Sequence, residues 1–231
     1  EMSVDEVSLR LASMLAADAG LRVPYGLLTG GERLTPEQIE AIGRAQDVAH
    51  TLPLAIIQPR PYLGTIEGII AFRRRRAEKE GRQLGLVVID QLTQVWPPER
   101  YRGRKVDEIG EITASLKQTA LRFGVPILLL HQLNRAVEGR SDRRPQLADL
   151  RDSGSLEQDA DTVTLCYRPD YYLAREEPAD PDAQITWRDA MREAEGRFEL
   201  IIAKERMGAT GVVTLRHDLP TGRILDEGVM I

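Results

Sequence analysis

The sequence predicts an α/β fold: a mostly parallel sheet flanked by helices, with an antiparallel edge hairpin at the C-terminal end. Three observations carry that prediction. Continuous apolar runs such as "LVVID" and "PILLL" end in polar residues, as strands buried on both faces do. Segments with helical spacing separate them, "VDEIGEITASLKQTALRFG" being the clearest. The last two apolar runs, "FELIIAK" and "GVVTLRHD", are joined by the short turn "ERMGAT", which suits a hairpin.

The elements follow in chain order. Ser3 and Glu6 have the spacing of a capping box, and Val4, Val7, Leu11, Met14 and Leu15 recur behind them at helical spacing, with Gly20 as a stop. "RVPYGLLTGGERLT" reads as loop around Gly30-Gly31. Thr35 as N-cap and Pro36 at the first position start a second helix. "LPLAIIQ" (52–58) reads as a short strand and "TIEGIIAFRRRRAEKEG" (65–81) as a helix ending near Gly81. The four arginines of that helix could bind phosphate. A solvated face near a helix C-terminus, where cations suit the dipole, is the preferred reading. Buried strands are expected at 84–91, 125–135 and 161–168, a helix at 106–124 ended by Gly124, and strands at 198–204 and 211–218. That helix places Val106, Ile109, Ile112, Leu116, Ala120 and Phe123 on one face. Residues 169–196 form a polar, Pro- and Asp-rich surface insert with a short helix near 186–195.

The bulk numbers narrow the classes. A chain of 231 residues suits one large α/β domain, or at most two small ones. Hydrophobic content of 42% and charge of 29% allow a compact core. A net charge of -5 excludes a basic nucleic-acid binder by bulk electrostatics, though not a local basic patch. Cys166 is the only cysteine, so no intrachain disulfide can form. It lies in an apolar run, reads as a small core residue, and fits a reducing, cytoplasmic setting. No run of about 18 apolar residues is present, so no membrane partner is expected. The chain opens at Glu1-Met2-Ser3 without a signal-peptide pattern and reads as the trailing part of something longer.

Ligands of such sheets gather at the carboxyl ends of the strands. "LVVID" places Asp90 there, where a carboxylate can reach a magnesium ion; many strands also end in Asp merely as a turn residue. "HQLNR" places Gln132 and Arg135 at the next strand end, to sense a phosphate, to hold a loop, or as ordinary loop polarity. "KERMGATG" sets Lys204 and Arg206 two apart, on one side of a strand. Two cations before a glycine turn suit a phosphate; by itself a charged edge hairpin is the stronger reading.

The order of the motifs is more specific than any one of them. "EMS" before a capped helix, "VVID", "PILLLHQLNRAVEGRSDRRPQLADLRDSGSLEQDAD" and "IIAKERMGATG" together resemble the RecA-like C-terminal motor domain of DnaB-type replicative DNA helicases, in a divergent, phage- or plasmid-like form. The resemblance implies a P-loop NTPase core that couples ATP hydrolysis to translocation on single-stranded DNA and to duplex unwinding. It implies ATP and Mg2+ as ligands, a homo-oligomeric, hexameric ring, and primase and a helicase loader as further partners. Residues 1–231 then form one motor domain lacking its N-terminal P-loop strand and helix.

It also implies roles. Glu1 matches the glutamate that polarises the attacking water, and Asp90 the aspartate that holds Mg2+ through water. Gln132 matches the amide that contacts the γ-phosphate. Lys204 and Arg206 match the pair that reaches the neighbouring subunit's nucleotide. "DLRDSGS" matches the channel loop that holds the DNA backbone, and the DNA set is Arg151, Asp152, Gly154 and Arg135. Of these, Arg151 pairs with phosphate and Gly154 allows close backbone approach. Asp152, with Glu157, Asp159 and Asp161, braces the loop by pairing with Arg151 or with a neighbouring subunit. A plain acidic turn is the bland alternative.

This sequence departs from the family pattern in several places. Gln91-Leu92-Thr93 follows the aspartate instead of Tyr-Leu-Gln, His131 stands for Ser, Asp152 for Glu, and Glu205 for Gln. No G-x-x-x-x-G-K-[ST] occurs, so the 231 residues alone are expected to bind ATP poorly and not to hydrolyse it. Two other readings stand beside the helicase: a RecA-like ATPase that is not a helicase, and a catalytically inactive DNA-binding or assembly fragment.

Overall fold

The computed structural model describes residues 2–58, 62–96 and 104–227, with all side chains there except those of residues 105 and 151–153. The chain divides into two compact units: residues 1–57, 166–200 and 212–231 in one, residues 58–165 and 201–211 in the other.

The first unit begins with helix α1 (Val4–Asp18), capped as expected by Ser3 and Glu6. Its buried face is built from small residues, Ala12, Ser13, Ala16 and Ala17, which pack with Ala41, Ile42 and Ala45 of α3 (Pro36–Thr51) and with Val23. Small side chains let the two helices approach closely, so the larger residues of the anticipated stripe are only half-buried and Val4 is exposed. The Thr35 and Gln38 box starts α3. Between these helices the stretch read as loop holds the short helix α2 (Tyr25–Thr29). The insert contains α7 (Pro169–Leu173), which the sequence reading missed, and α8 (Pro181–Ala194), longer than expected because Asp180 caps it and Pro181 starts it. Asp218 anchors this unit. Its carboxylate is nearly inaccessible and accepts from Arg22 at 2.6 Å and from Thr221 at 2.8 Å. Burial alone would raise its pKa; the hydrogen bonds outweigh it and hold the carboxyl below its ordinary value.

The second unit packs α4 (Leu63–Lys79) and α5 (Lys105–Phe123) around Ile66, Ile70, Leu92, Val95, Ile109, Ile112, Leu116 and Val125. Gly124 ends α5 in the left-handed region, φ +61°, as only glycine does without strain. The arginines of α4 behave as a solvated face: Arg74 pairs with Glu78, and Arg76 with Glu80, one turn on. Strands β1 (Val87–Ile89) and β2 (Ile127–Leu129) pair in parallel, with Val87 opposite Ile127 and Ile89 opposite Leu129. Val87, Ile89, Ile127 and Leu129 face the helical core; Val88 and Leu128 face outward, about half exposed.

A separate four-stranded sheet has the order β3 (Thr162–Tyr167), β4 (Arg197–Glu205), β5 (Gly211–Asp218), β6 (Arg223–Asp226). β5 and β6 are antiparallel, with Leu215 opposite Asp226. The fold class is the one expected: a parallel sheet flanked by helices and an antiparallel extension. β6 was not foreseen.

Several expectations need correction. The run 52–58 is not a strand; it is irregular, with Leu54 and Ile57 exposed, because no described strand lies beside it to complete a ladder. The runs at 84–91 and 125–135 contain only three paired residues each, since each strand has one partner among the described residues. Val106 does not join the α5 core and is 64% exposed. Cys166 is exposed rather than in the core: strand alternation turns Leu165 inward and Cys166 outward.

Candidate functional site

Parallel pairing brings the exits of β1 and β2 side by side. Leu130 donates to the carbonyl of Ile89 at 3.0 Å, and Leu92 donates to the carbonyl of Leu130 at 2.9 Å. Asp90 and Gln132 therefore leave the sheet at one edge, and both are exposed. No hydrogen bond or ion pair with a described residue engages the Asp90 carboxylate, which leaves its oxygens open to a ligand.

Beyond Gln132 the chain is fastened to the segment that carries Arg151. The amide of Asn134 donates to the carbonyl of Asp149 at 3.1 Å. Asp149 is 7% exposed, accepts from the amide of Gln146 at 2.7 Å, and is held by Arg140. Arg135 opens a 3-10 segment (Arg135–Gly139) capped by Asn134, and its side chain is exposed. Arg151 and Asp152 lie in a second 3-10 segment (Leu147–Ser153), and their side chains lie outside the described residues. Gly154 then begins helix α6 (Gly154–Asp159) at φ -52° and ψ -30°. The Ser-Gly-Ser stretch thus makes no kink: it runs from 3-10 into α-helix. A Cβ built on Gly154 would meet nothing within 4 Å, so its backbone is open to close approach.

Lys204 and Arg206 leave the end of β4 on one side, as their spacing required, and both reach the carboxyl end of α6. The Lys204 ammonium donates to the carbonyls of Glu157 and, at 2.9 Å, Ala160. The Arg206 guanidinium donates to the carbonyl of Gln158 and lies 3.7 Å from the Asp161 carboxylate. These carbonyls are the orphan acceptors of a helix end, and cations suit the negative pole there. Asp161 also pairs with Lys117 of α5, and Asp159 accepts from Thr113 of the same helix. Hydrogen bonding from Lys117 holds the Asp161 carboxyl below its ordinary value. The acidic residues do brace the segment; their described partners are on α5 and at the end of β4.

The structure thus gathers two groups in the second unit: Asp90 with Gln132 at a sheet edge, and Lys204 with Arg206 on α6. No hydrogen bond or ion pair among the described residues joins one group to the other. Glu1 lies outside the described residues. Among those described, no cluster of three or more His, Cys, Asp or Glu residues could hold a metal by itself. A single strand-end carboxylate instead fits a magnesium ion that keeps its waters and shares phosphate oxygens. Arg140, Asp149, Thr113 and Lys117 were missed in the sequence, where only the i, i+3 spacing of Gln146 and Asp149 hinted at a cap. A cavity of about 640 Å³ in the first unit, lined by Arg168, Tyr171, Arg175 and Arg188 among others, includes none of the anticipated site residues. No described helix is long and apolar enough to cross a membrane.

Comparison with known proteins gives the same picture. The DnaB-like helicase C terminal domain family matches residues 1–226. A replicative DNA helicase DnaB from Rickettsia conorii is 39% identical over 222 residues, which cover 94% of this chain and 42% of that protein. The Geobacillus stearothermophilus replicative DNA helicase DnaB is 35% identical over 215 residues, covering 93% of this chain and 42% of that protein. The chain therefore spans about two-fifths of the length of these relatives. A solved DnaB-like replicative helicase, studied with its interactions with primase, superimposes with a TM-score of 0.81 at 28% identity, over 98% of this chain and 48% of that one. A second solved structure, of an isolated ATPase domain, gives the same score and identity, over 98% of this chain and 72% of that one. The match runs along nearly the whole chain and takes in both the strand-end pair and the cation pair, and the chain belongs to the DnaB-like helicase C-terminal domain family.

Proposed function

We propose that residues 1–231 belong to the ATP-hydrolysing motor of a replicative DNA helicase, with 169–196 as an insert on it. In the intact protein this motor couples hydrolysis to movement along single-stranded DNA within a homo-oligomeric, hexameric ring in the cytoplasm. Asp90 holds a magnesium ion through water, Gln132 contacts the γ-phosphate, and Glu1 orients the attacking water. Mg2+ neutralises charge on the phosphates when bound. Lys204 and Arg206 act on the nucleotide of a neighbouring subunit, where a guanidinium stabilises the charge spread over the transferring phosphoryl group. Arg151, Gly154 and Arg135 hold the DNA backbone, and Asp152 supports them. Primase is a partner, a reading supported by the interactions with primase of the solved relative, and a helicase loader is another.

One observation carries this reading. The strand-end pair and the cation pair have the chemistry of two halves of one phosphoryl-transfer site, yet no interaction among the described residues joins them, so a second copy is needed to bring them together. The test is ATP turnover by the full-length protein with and without single-stranded DNA. DNA-stimulated turnover that Arg206→Ala abolishes while leaving nucleotide binding intact is the expected result. Absence of turnover in the full-length wild type refutes the enzyme.

A further inference from the structure

We infer that the carboxyl end of α6, with Asp161, is a docking place inside the chain for Lys204 and Arg206, and that the two cations exchange between it and the neighbouring subunit's nucleotide. Asp161 is then a positioning residue. This rests on the trans role proposed for the pair.

Four observations support it. First, the cations are already engaged: Lys204 on the carbonyls of Glu157 and Ala160, Arg206 on that of Gln158. A guanidinium or ammonium that reaches for phosphate must leave these acceptors, so the two engagements compete. Second, α6 has only six residues, too few to hold a helix by propensity, so its end caps matter to its order. Third, the dock can open. The Arg206 side chain is 46% exposed and that of Asp161 58%, so neither is locked in a core. Fourth, the dock is anchored independently of the cations: Lys117 pairs with Asp161, Thr113 bonds Asp159, and the amide of Arg206 donates to the carbonyl of Asp161 at 3.0 Å. The last bond tethers the backbone, so the side chain can swing while the strand end stays in place. Thr162 and Glu205, paired at 2.7 Å, hold the same strand end.

The consequence is a link within one subunit. When the pair engages a neighbour's nucleotide, α6 is deprived of the donors at its carboxyl end. Its amino end is Gly154, three residues after Arg151. The state of the nucleotide next door is thereby felt by this subunit's own DNA segment.

Hydrogen exchange of the intact, full-length ring without DNA tests the link directly. On saturation with a non-hydrolysable ATP analogue, amides 158–160 should exchange several-fold faster, because local opening becomes easier. In Arg206→Ala they should be fast with or without the analogue. Weakening the dock by Asp161→Asn should raise DNA-free ATP turnover roughly two- to fivefold, the shift an exposed ion pair supports. It should lower the stimulation by DNA in proportion and leave KM for ATP unchanged. A purely structural Asp161 would instead lower turnover equally with and without DNA, and that result overturns the proposal. So does analogue-independent exchange of α6 in a ring that Arg206→Ala inactivates; the trans role would then stand without the link. If Arg206→Ala turns over ATP normally, the underlying function fails and the link with it.

Discussion

Arg140 grips Asp149 with both terminal nitrogens, Nη1 to Oδ1 at 3.1 Å and Nη2 to Oδ2 at 2.9 Å. Two parallel bonds of this kind fix orientation as well as position. Since the Asp149 carbonyl accepts from Asn134, the grip ties the exit of β2 to the segment that carries Arg151. Arg140→Lys keeps the charge and removes the fork. It should destabilise the fold by about 1–2 kcal/mol, read as a lower urea midpoint, and Arg140→Ala should cost more. An unchanged midpoint for both would show that the fork contributes no stability.

Mixed rings test the trans role of Arg206. Alone, Arg206→Ala subunits should show kcat reduced by about 10³-fold or more. Mixed with Glu1→Gln subunits, they should regain part of the activity, because some interfaces then pair an intact Glu1 with an intact Arg206. No regain in rings shown to be mixed would place the guanidinium's action within its own subunit.

Arg151→Ala should weaken binding of the full-length protein to single-stranded DNA by a similar factor for homopolymers and mixed sequences. Backbone contacts carry no base readout. The log–log dependence on salt should flatten by roughly 0.7 for each phosphate the variant no longer neutralises. Fluorescence anisotropy across a salt series measures both. An unchanged slope would move the DNA path away from this segment.

Asp161 gives the α6 region an acid sensitivity. Its carboxyl is held below the ordinary value, chiefly by hydrogen bonding from Lys117. A depressed acid stabilises the fold above its unfolded pKa, and that contribution disappears as pH falls through the folded one. The contribution should therefore be whole at neutral pH and fade below about pH 4. Urea midpoints of the wild type and Asp161→Asn should differ at pH 7 and converge at pH 3. A gap that persists at pH 3 would assign the effect to something other than the charge.

What the sequence disclosed depended on whether the signal was local. Caps were legible because a cap is a matter of a few neighbouring residues: Ser3 with Glu6, Thr35 with Gln38, and Gly124 stand as read. Strand lengths were not, because hydrophobic runs say what is apolar and not what lies alongside; Leu54 and Ile57 show the difference. The strand-end rule found Asp90 and Gln132, and period-two spacing put Lys204 and Arg206 on one side. Where those cations rest could not be read, since Glu157 and Gln158 take part through backbone carbonyls that every residue owns. The same holds for Asp149, whose importance comes from burial and from an arginine nine positions away. Family resemblance supplied the roles; the geometry supplied the braces.

Gly154 sits in ordinary right-handed helix, and a methyl group there would touch nothing. Folding alone would favour alanine, by about 0.5–1 kcal/mol. A screen for heat resistance should therefore enrich Gly154→Ala, and a screen for growth that depends on DNA unwinding should deplete it. The residue is a place where selection for durability and selection for replication pull in opposite directions, and pairing the two screens on one library would read out which has governed it.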